Sequence, residues 1–201
     1  MKKMLSLLLA LLLLALCPAM AETPVEMKTL TAPDGSYAFD VPADYMEMNS
    51  ELVKNLFATE AMQQLLAQML GLEDASQLDM YFAMMQQSNM MMVYTADMMG
   101  NFNVQTAASP LTMDQVVMMK AMMDASVAAQ YMALGVAEED MQPMDIVEIN
   151  GRQWYGFRLK LMGQDIQTMI TVENGMQYAV TFSGIDAQTM EAILVSFVVA
   201  E

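Results

Sequence analysis

Few side chains in this sequence could do chemistry, and they are of unusual kinds. Methionine supplies 28 of 201 residues and clusters as Met84-Met85, Met90-Met91-Met92, Met98-Met99, Met118-Met119 and Met122-Met123. Soft thioethers hold Cu(I) or Ag(I) without help from histidine or cysteine. Met118, Met119, Met122 and Met123, a helical turn apart, are the candidate ligands for such an ion. Methionine is also an adaptable core filler with good helix propensity, and it stands here at positions where Leu or Ile would be ordinary. Oxidant scavenging and a plastic partner surface are further uses of the same side chain. The second chemical feature is a row, Trp154, Arg158 and Lys160, with Arg152 just before it. On a strand these residues share one side. A stacking ring beside a guanidinium fork suits a small anionic or sugar ligand. The other reading is a solvated sheet face whose cations pair with Glu148, Asp165 and Glu173.

Much other chemistry is excluded. Histidine is absent, which removes Ser-His-Asp and Cys-His catalysis and the usual zinc sites. No phosphate-cradling loop of the G-x-x-x-x-G-K type occurs. Glu138-Glu139-Asp140 is acidic but lacks the alternation and glycine of a calcium loop. The expected function is therefore that of a binding or accessory protein with no catalytic role and no cofactor. Its ligand would be an unknown protein or a small anionic or sugar molecule. A Met-based soft-metal binder is the alternative, and an enzyme using carboxylates or Tyr comes third.

The compartment follows from the first residues. Lys2 and Lys3, an apolar run from Leu5 to Leu16, and Ala19-Met20-Ala21 before Glu22 have the three parts of a secretory signal, with cleavage expected after Ala21. The run is shorter than the ~20 residues of a membrane span. Leu14-Ala15-Leu16-Cys17 has the outline of a lipobox, but Leu16 is large for the position before the cysteine, so lipidation is the lesser reading. The expected product, residues 22–201, keeps six cations against twenty-four carboxylates, a net charge of −18, and no cysteine. Such a charge opposes nucleic acid and anionic membrane. One domain is expected, stabilised by its core and without disulfides.

The elements that must position the row are legible from periodicity. Met27 to Thr31 and Tyr37 to Val41 read as a hairpin joined by Pro33-Asp34-Gly35. Residues 50–135 form a Met-rich, largely helical middle. A first helix there runs from Ser50 to Gly71, and a second spans Ala75 to Gln87 behind Asp74. Strands are expected at 89–96 and 101–107, and one long helix from Thr112, with Gln115 completing a capping box, to Gly135. The stretch from Met144 to Phe197 reads as four alternating strands and a closing helix capped by Asp186. Keeping every apolar side chain on one face requires a two-residue loop at Gly163-Gln164 and three-residue loops at Asn150-Gly151-Arg152 and Asn174-Gly175-Met176. Tyr155, Phe157, Ile170, Val172, Tyr178, Val180 and Phe182 then face the closing helix. Trp154, Arg158 and Lys160 face the other way.

Two segments resemble the PsbP-like superfamily of secreted and lipid-anchored proteins: Tyr37-Ala38-Phe39-Asp40-Val41-Pro42-Ala43-Asp44-Tyr45, and Gln177 to Ser183 followed by Met190 to Phe197, ending Ser196-Phe197. The resemblance covers about a third of the expected product, at both ends, and the Met-rich middle departs from it. It implies an α+β fold, a central antiparallel sheet with flanking helices in an α/β/α sandwich. It transfers no catalytic residue.

Overall fold

The computed structural model describes residues 25–49, 52, 58–161 and 163–200. The expected signal, its cleavage after Ala21, Cys17 and most of the stretch 50–57 lie outside the described residues. An N-terminal hairpin, β1 (Met27–Thr31) and β2 (Tyr37–Pro42), turns at Gly35 with φ 77°. Next come β3 (Met46–Glu47), α1 (Glu60–Met69) and α2 (Leu78–Gln87). A single 3-10 turn, Ala75–Gln77, leads into α2, and the Asp74 carboxylate caps it by accepting from the Ser76 amide. After β4 (Met91–Tyr94) and β5 (Asn101–Ala108), the capping box of Thr112 and Gln115 opens α3 (Met113–Met118). The long helix expected from here to Gly135 is interrupted at Met119 (φ −99°, ψ 11°) and resumes as α4 (Lys120–Ala133). No Pro or Gly marks the break. The remainder is β6 (Met141–Pro143), β7 (Val147–Ile149), β8 (Arg152–Leu161), β9 (Gln164–Glu173), β10 (Met176–Ser183), α5 (Ala187–Ser196) and β11 (Val198–Val199).

The fold is α+β, with a central antiparallel sheet covered on both faces. The sheet runs β3-β4-β5-β10-β9-β8-β6, with β7 also paired to β8. A small sheet, β1-β2-β11, and α5 cover one face. On the other face α3 and α4 lie over β8 and β9, and α1 and α2 lie at the β4 end. Because both faces are buried, the strands need not separate apolar from polar residues cleanly.

This corrects the expected register. Asn150-Gly151 and Asn174-Gly175 are both two-residue turns with positive φ at each position: 50° and 74°, 52° and 75°. That is the I′ geometry for which Asn-Gly is preferred, because its twist matches that of the flanking strands. Tyr178 therefore sits opposite Thr171, and Val180 opposite Met169. Val147 meets Trp154 rather than Tyr155. At the third turn Leu161 pairs with Gln164 and Tyr155 with Ile170, two residues from the expected register but on the expected face. The single apolar face thus divides in two. Tyr155, Phe157, Leu159, Ile166, Ile170 and Val172 pack beneath α3 and α4 with Val116, Met123 and Val127. Trp154, Met169, Tyr178, Val180 and Phe182 join Phe102, Val104, Ile193, Leu194 and Phe197 on the other side.

Phe197, the residue that ends α5, is the hub of this second core. Its ring meets those of Tyr37, Trp154 and Tyr178 at 5.6 to 5.7 Å, and that of Phe39 at 6.3 Å. Each such pair contributes about 0.5–1.5 kcal/mol beyond its buried area. Arg152 secures the same corner: its guanidinium donates to the Phe197 carbonyl, lies 5.4 Å over the Phe197 ring, and pairs with Glu173 at 2.9 Å. Ser196 Oγ accepts from the Asp40 amide at 2.8 Å, tying the helix end to β2. Gly156 supplies room at the centre of β8, because a Cβ there would stand 2.8 Å from the Met169 sulfur and 3.1 Å from that of Met144.

Candidate functional site

Trp154, Arg158 and Lys160 do share one side of β8, as alternation requires, but it is the side that faces α5. At its Trp154 end the row is sealed. Trp154 is 0% exposed, its ring 5.6 Å from that of Phe197 at an interplanar angle of 77°, and its indole N–H is buried without a hydrogen-bond partner. The reading of Trp154 as a stacking platform is therefore corrected: the ring is core, placed there by the I′ turn at Asn150-Gly151.

Four residues along the strand, about 13 Å at ~3.3 Å per residue, the cover has ended. The first turn of α5 brings Met190 over the sheet but reaches no further, and β6 on the outer edge is only three residues long. The result is a cleft of about 540 Å³. Its base is a cross-strand row in direct register: Gln142 beside Arg158, Arg158 beside Gln167, Gln167 beside Phe182. Ile185 and Met190 complete an apolar floor with Phe182, and Lys160 and Asp165 face each other across the outer rim.

The electrostatics of the cleft come from how its charges are partnered. Arg158 Nε donates to Gln167 Oε1 at 2.9 Å, and Gln167 Nε2 is aimed in turn at the Met169 sulfur, 3.4 Å away. The fork is thus oriented with its terminal nitrogens left over. Among the described residues the other cations are engaged. Lys120 pairs with Asp124 at 2.7 Å, Arg152 with Glu173, and Lys28 donates to the Tyr45 carbonyl. Neither Arg158 nor Lys160 comes within ion-pair distance of a carboxylate among the described residues. The pairing expected with Glu148, Asp165 and Glu173 is realised only for Glu173, and there by Arg152.

Solved structures similar to this chain include the following two. One is a crystal structure of a protein from Bacteroides thetaiotaomicron, with 11% identity and a TM-score of 0.46 over 87% of this chain; the chain spans about half that protein's length, 48%. The other is the solution structure of cyanobacterial PsbP from Synechocystis, with 13% identity and a TM-score of 0.45, covering 92% of this chain and 99% of that one. No family model matches the chain, and no curated protein matches it in sequence. Among the described residues no helix is long and apolar enough to cross a membrane.

The four candidate methionines do not converge. Met118 and Met122 point outward, 77% and 58% exposed. Met123 packs inward against the α3/α4 core, and Met119 occupies the helix break. Cleft residues that sequence reasoning did not select are Gln142, Gln167, Phe182, Ile185 and Met190, with Glu139 and Asp140 from the 3-10 turn 138–140. Each is an ordinary residue in an ordinary local pattern. Only the cross-strand register and the point where α5 begins bring them together.

Proposed function

We propose that the chain is an exported, non-catalytic binding protein whose ligand site is the cleft at the Arg158 end of β8, and that the ligand is small and carries an anionic group. One observation carries this reading: among the described residues Arg158 and Lys160 alone are cations without a partner for their terminal nitrogens, and both line the same cleft of about 540 Å³. In a chain of net charge −16, counter-charges are plentiful, so two unpaired cations over an apolar floor favour an anion arriving from solution. The leader-like first residues favour export. The absence of histidine from the sequence, which removes the commonest general base, favours binding over catalysis.

The test is an NMR titration with 4-methylpentanoate, glucuronate and neutral glucose. At millimolar concentration the anions are expected to shift the Gly184 amide in the cleft and to leave Gly175, in a distant turn, unmoved. An Arg158→Ala/Lys160→Ala double variant should lose the response. If no anion perturbs Gly184, or if the double variant responds as the parent does, the cleft is not the site.

A further inference from the structure

The cleft is not lined by cations alone. Glu139 and Asp140, from the turn that follows α4, stand along it with Arg158 and Lys160, and Asp165 lies on the outer rim. Like the two cations, none of these three carboxylates is in an ion pair among the described residues. Between the charged groups lies the apolar floor of Phe182, Ile185 and Met190. Ile185 and Met190 belong to the rim of the main core yet remain half exposed, and the cleft is where that exposure faces.

A ligand that was only an anion would satisfy Arg158 and Lys160 but bring its charge toward Glu139 and Asp140, and like charges at close range oppose binding. A cation has the mirror-image difficulty. A molecule carrying both signs with an apolar body between or beside them meets all three surfaces. The volume, about 540 Å³, falls within the range of about 300–1,000 Å³ typical of small-ligand pockets.

Building on the anion-binding reading above, we infer that the ligand is zwitterionic, a free amino acid or short peptide with an apolar side chain. Its carboxylate is held by the Arg158 fork and Lys160, its ammonium by Glu139 and Asp140, and its side chain rests on Ile185 and Met190. Arg158 is suited to the carboxylate because its two remaining nitrogens present a planar, bidentate fork already oriented by Gln167.

Calorimetric titration with matched probes tests this: leucine and the dipeptide leucyl-leucine, 4-methylpentanoate as leucine without its amino group, and 3-methylbutylamine as leucine without its carboxylate. Leucine or leucyl-leucine is expected to bind at least tenfold more tightly than either single-charge analogue, and whichever binds better tells amino acid from peptide. A Glu139→Gln/Asp140→Asn double variant should weaken the zwitterion and erase its advantage over 4-methylpentanoate, which, freed of two like charges, should bind at least as tightly as before. Arg158→Ala should abolish both. These are exposed or half-exposed positions, so the variants are expected to fold, which unchanged circular dichroism would verify. If 4-methylpentanoate binds as tightly as the zwitterions, or if the acidic double variant has no effect, the zwitterion is refuted while the anion-binding cleft stands. If no carboxylate-bearing probe binds, or the amine binds best, both fall.

Discussion

Replacement of Trp154 separates the two roles that its sequence context allows. As a ligand platform Trp154 would be exposed and its loss would leave stability unchanged; as core it should be costly to remove. The structure puts it at 0% exposure against Phe197, Val147 and Met169. Truncating a fully buried Trp to Ala costs about 3–5 kcal/mol, the transfer term plus the cavity left behind. With a urea m-value of about 2 kcal/mol/M, the unfolding midpoint should fall by about 2 M. Trp154→Phe should behave differently. It keeps a ring against Phe197 and removes the buried N–H that has no partner, whose desolvation alone costs about 1–3 kcal/mol. Lost volume and relieved desolvation offset, so a net change of about 1 kcal/mol or less is expected. The assay is urea denaturation followed by far-UV circular dichroism, since both variants lack the only Trp. A midpoint for Trp154→Ala within a few tenths of a molar of the parent would refute the register on which the two-sided core rests.

Three further outcomes follow from the same geometry. Asn174→Ala places a Cβ-bearing residue without local hydrogen-bonding capacity at φ 52°; it should cost roughly 1 kcal/mol by thermal denaturation, and Asn150→Ala should add nearly independently. Arg152→Ala should cost about 1.5–3 kcal/mol through the lost charged donor to the Phe197 carbonyl, with the half-exposed Glu173 pair adding little. Arg152→Lys should fail to restore it, because an ammonium cannot both donate there and lie flat over the ring. Asp186 caps α5 by accepting from the Thr189 amide at 2.9 Å and from its hydroxyl at 2.7 Å, and these bonds hold its carboxyl below the usual range. A depressed acid stabilises above its unfolded pKa and loses that contribution as pH falls through the folded value. Stability measured from neutral to acid pH should therefore lose this component in Asp186→Asn, whereas Asp186→Ala should cost about 1 kcal/mol at neutral pH.

Much of the architecture was legible locally. Thr112 with Gln115 opens α3, Asp186 opens α5, and Asp74 caps the 3-10 turn that leads into α2, because capping needs only an acceptor and nearby amides. The hairpin of β1 and β2 was read from alternation and turn residues. The register was misread for an identifiable reason. Tyr178, Val180 and Phe182 alternate with Ala179 and Thr181 in either arrangement, so the strand's own pattern does not say which neighbours share its apolar face. Assuming one buried face led to three-residue loops. The Asn-Gly pairs already specified two, and following the turn chemistry would have revealed a sheet buried on both sides.

The candidate site divides the same way. That Arg158 and Lys160 share a strand face with Trp154 is a property of the chain, since side chains two apart on a strand lie on one side. Which end of that face is sealed and which is open is not. It depends on Phe197 reaching Trp154 from more than forty positions away, on α5 beginning only at Ala187, and on a three-residue edge strand that leaves Arg158 near the rim. Glu139 and Asp140 enter the cleft because α4 ends at Ala133 and the chain turns back to pair β6 with β8. Local sequence determined the elements, their caps and the spacing of the row. Tertiary packing decided that Trp154 is core and Arg158 is not, because burial is a relation between segments distant in the chain.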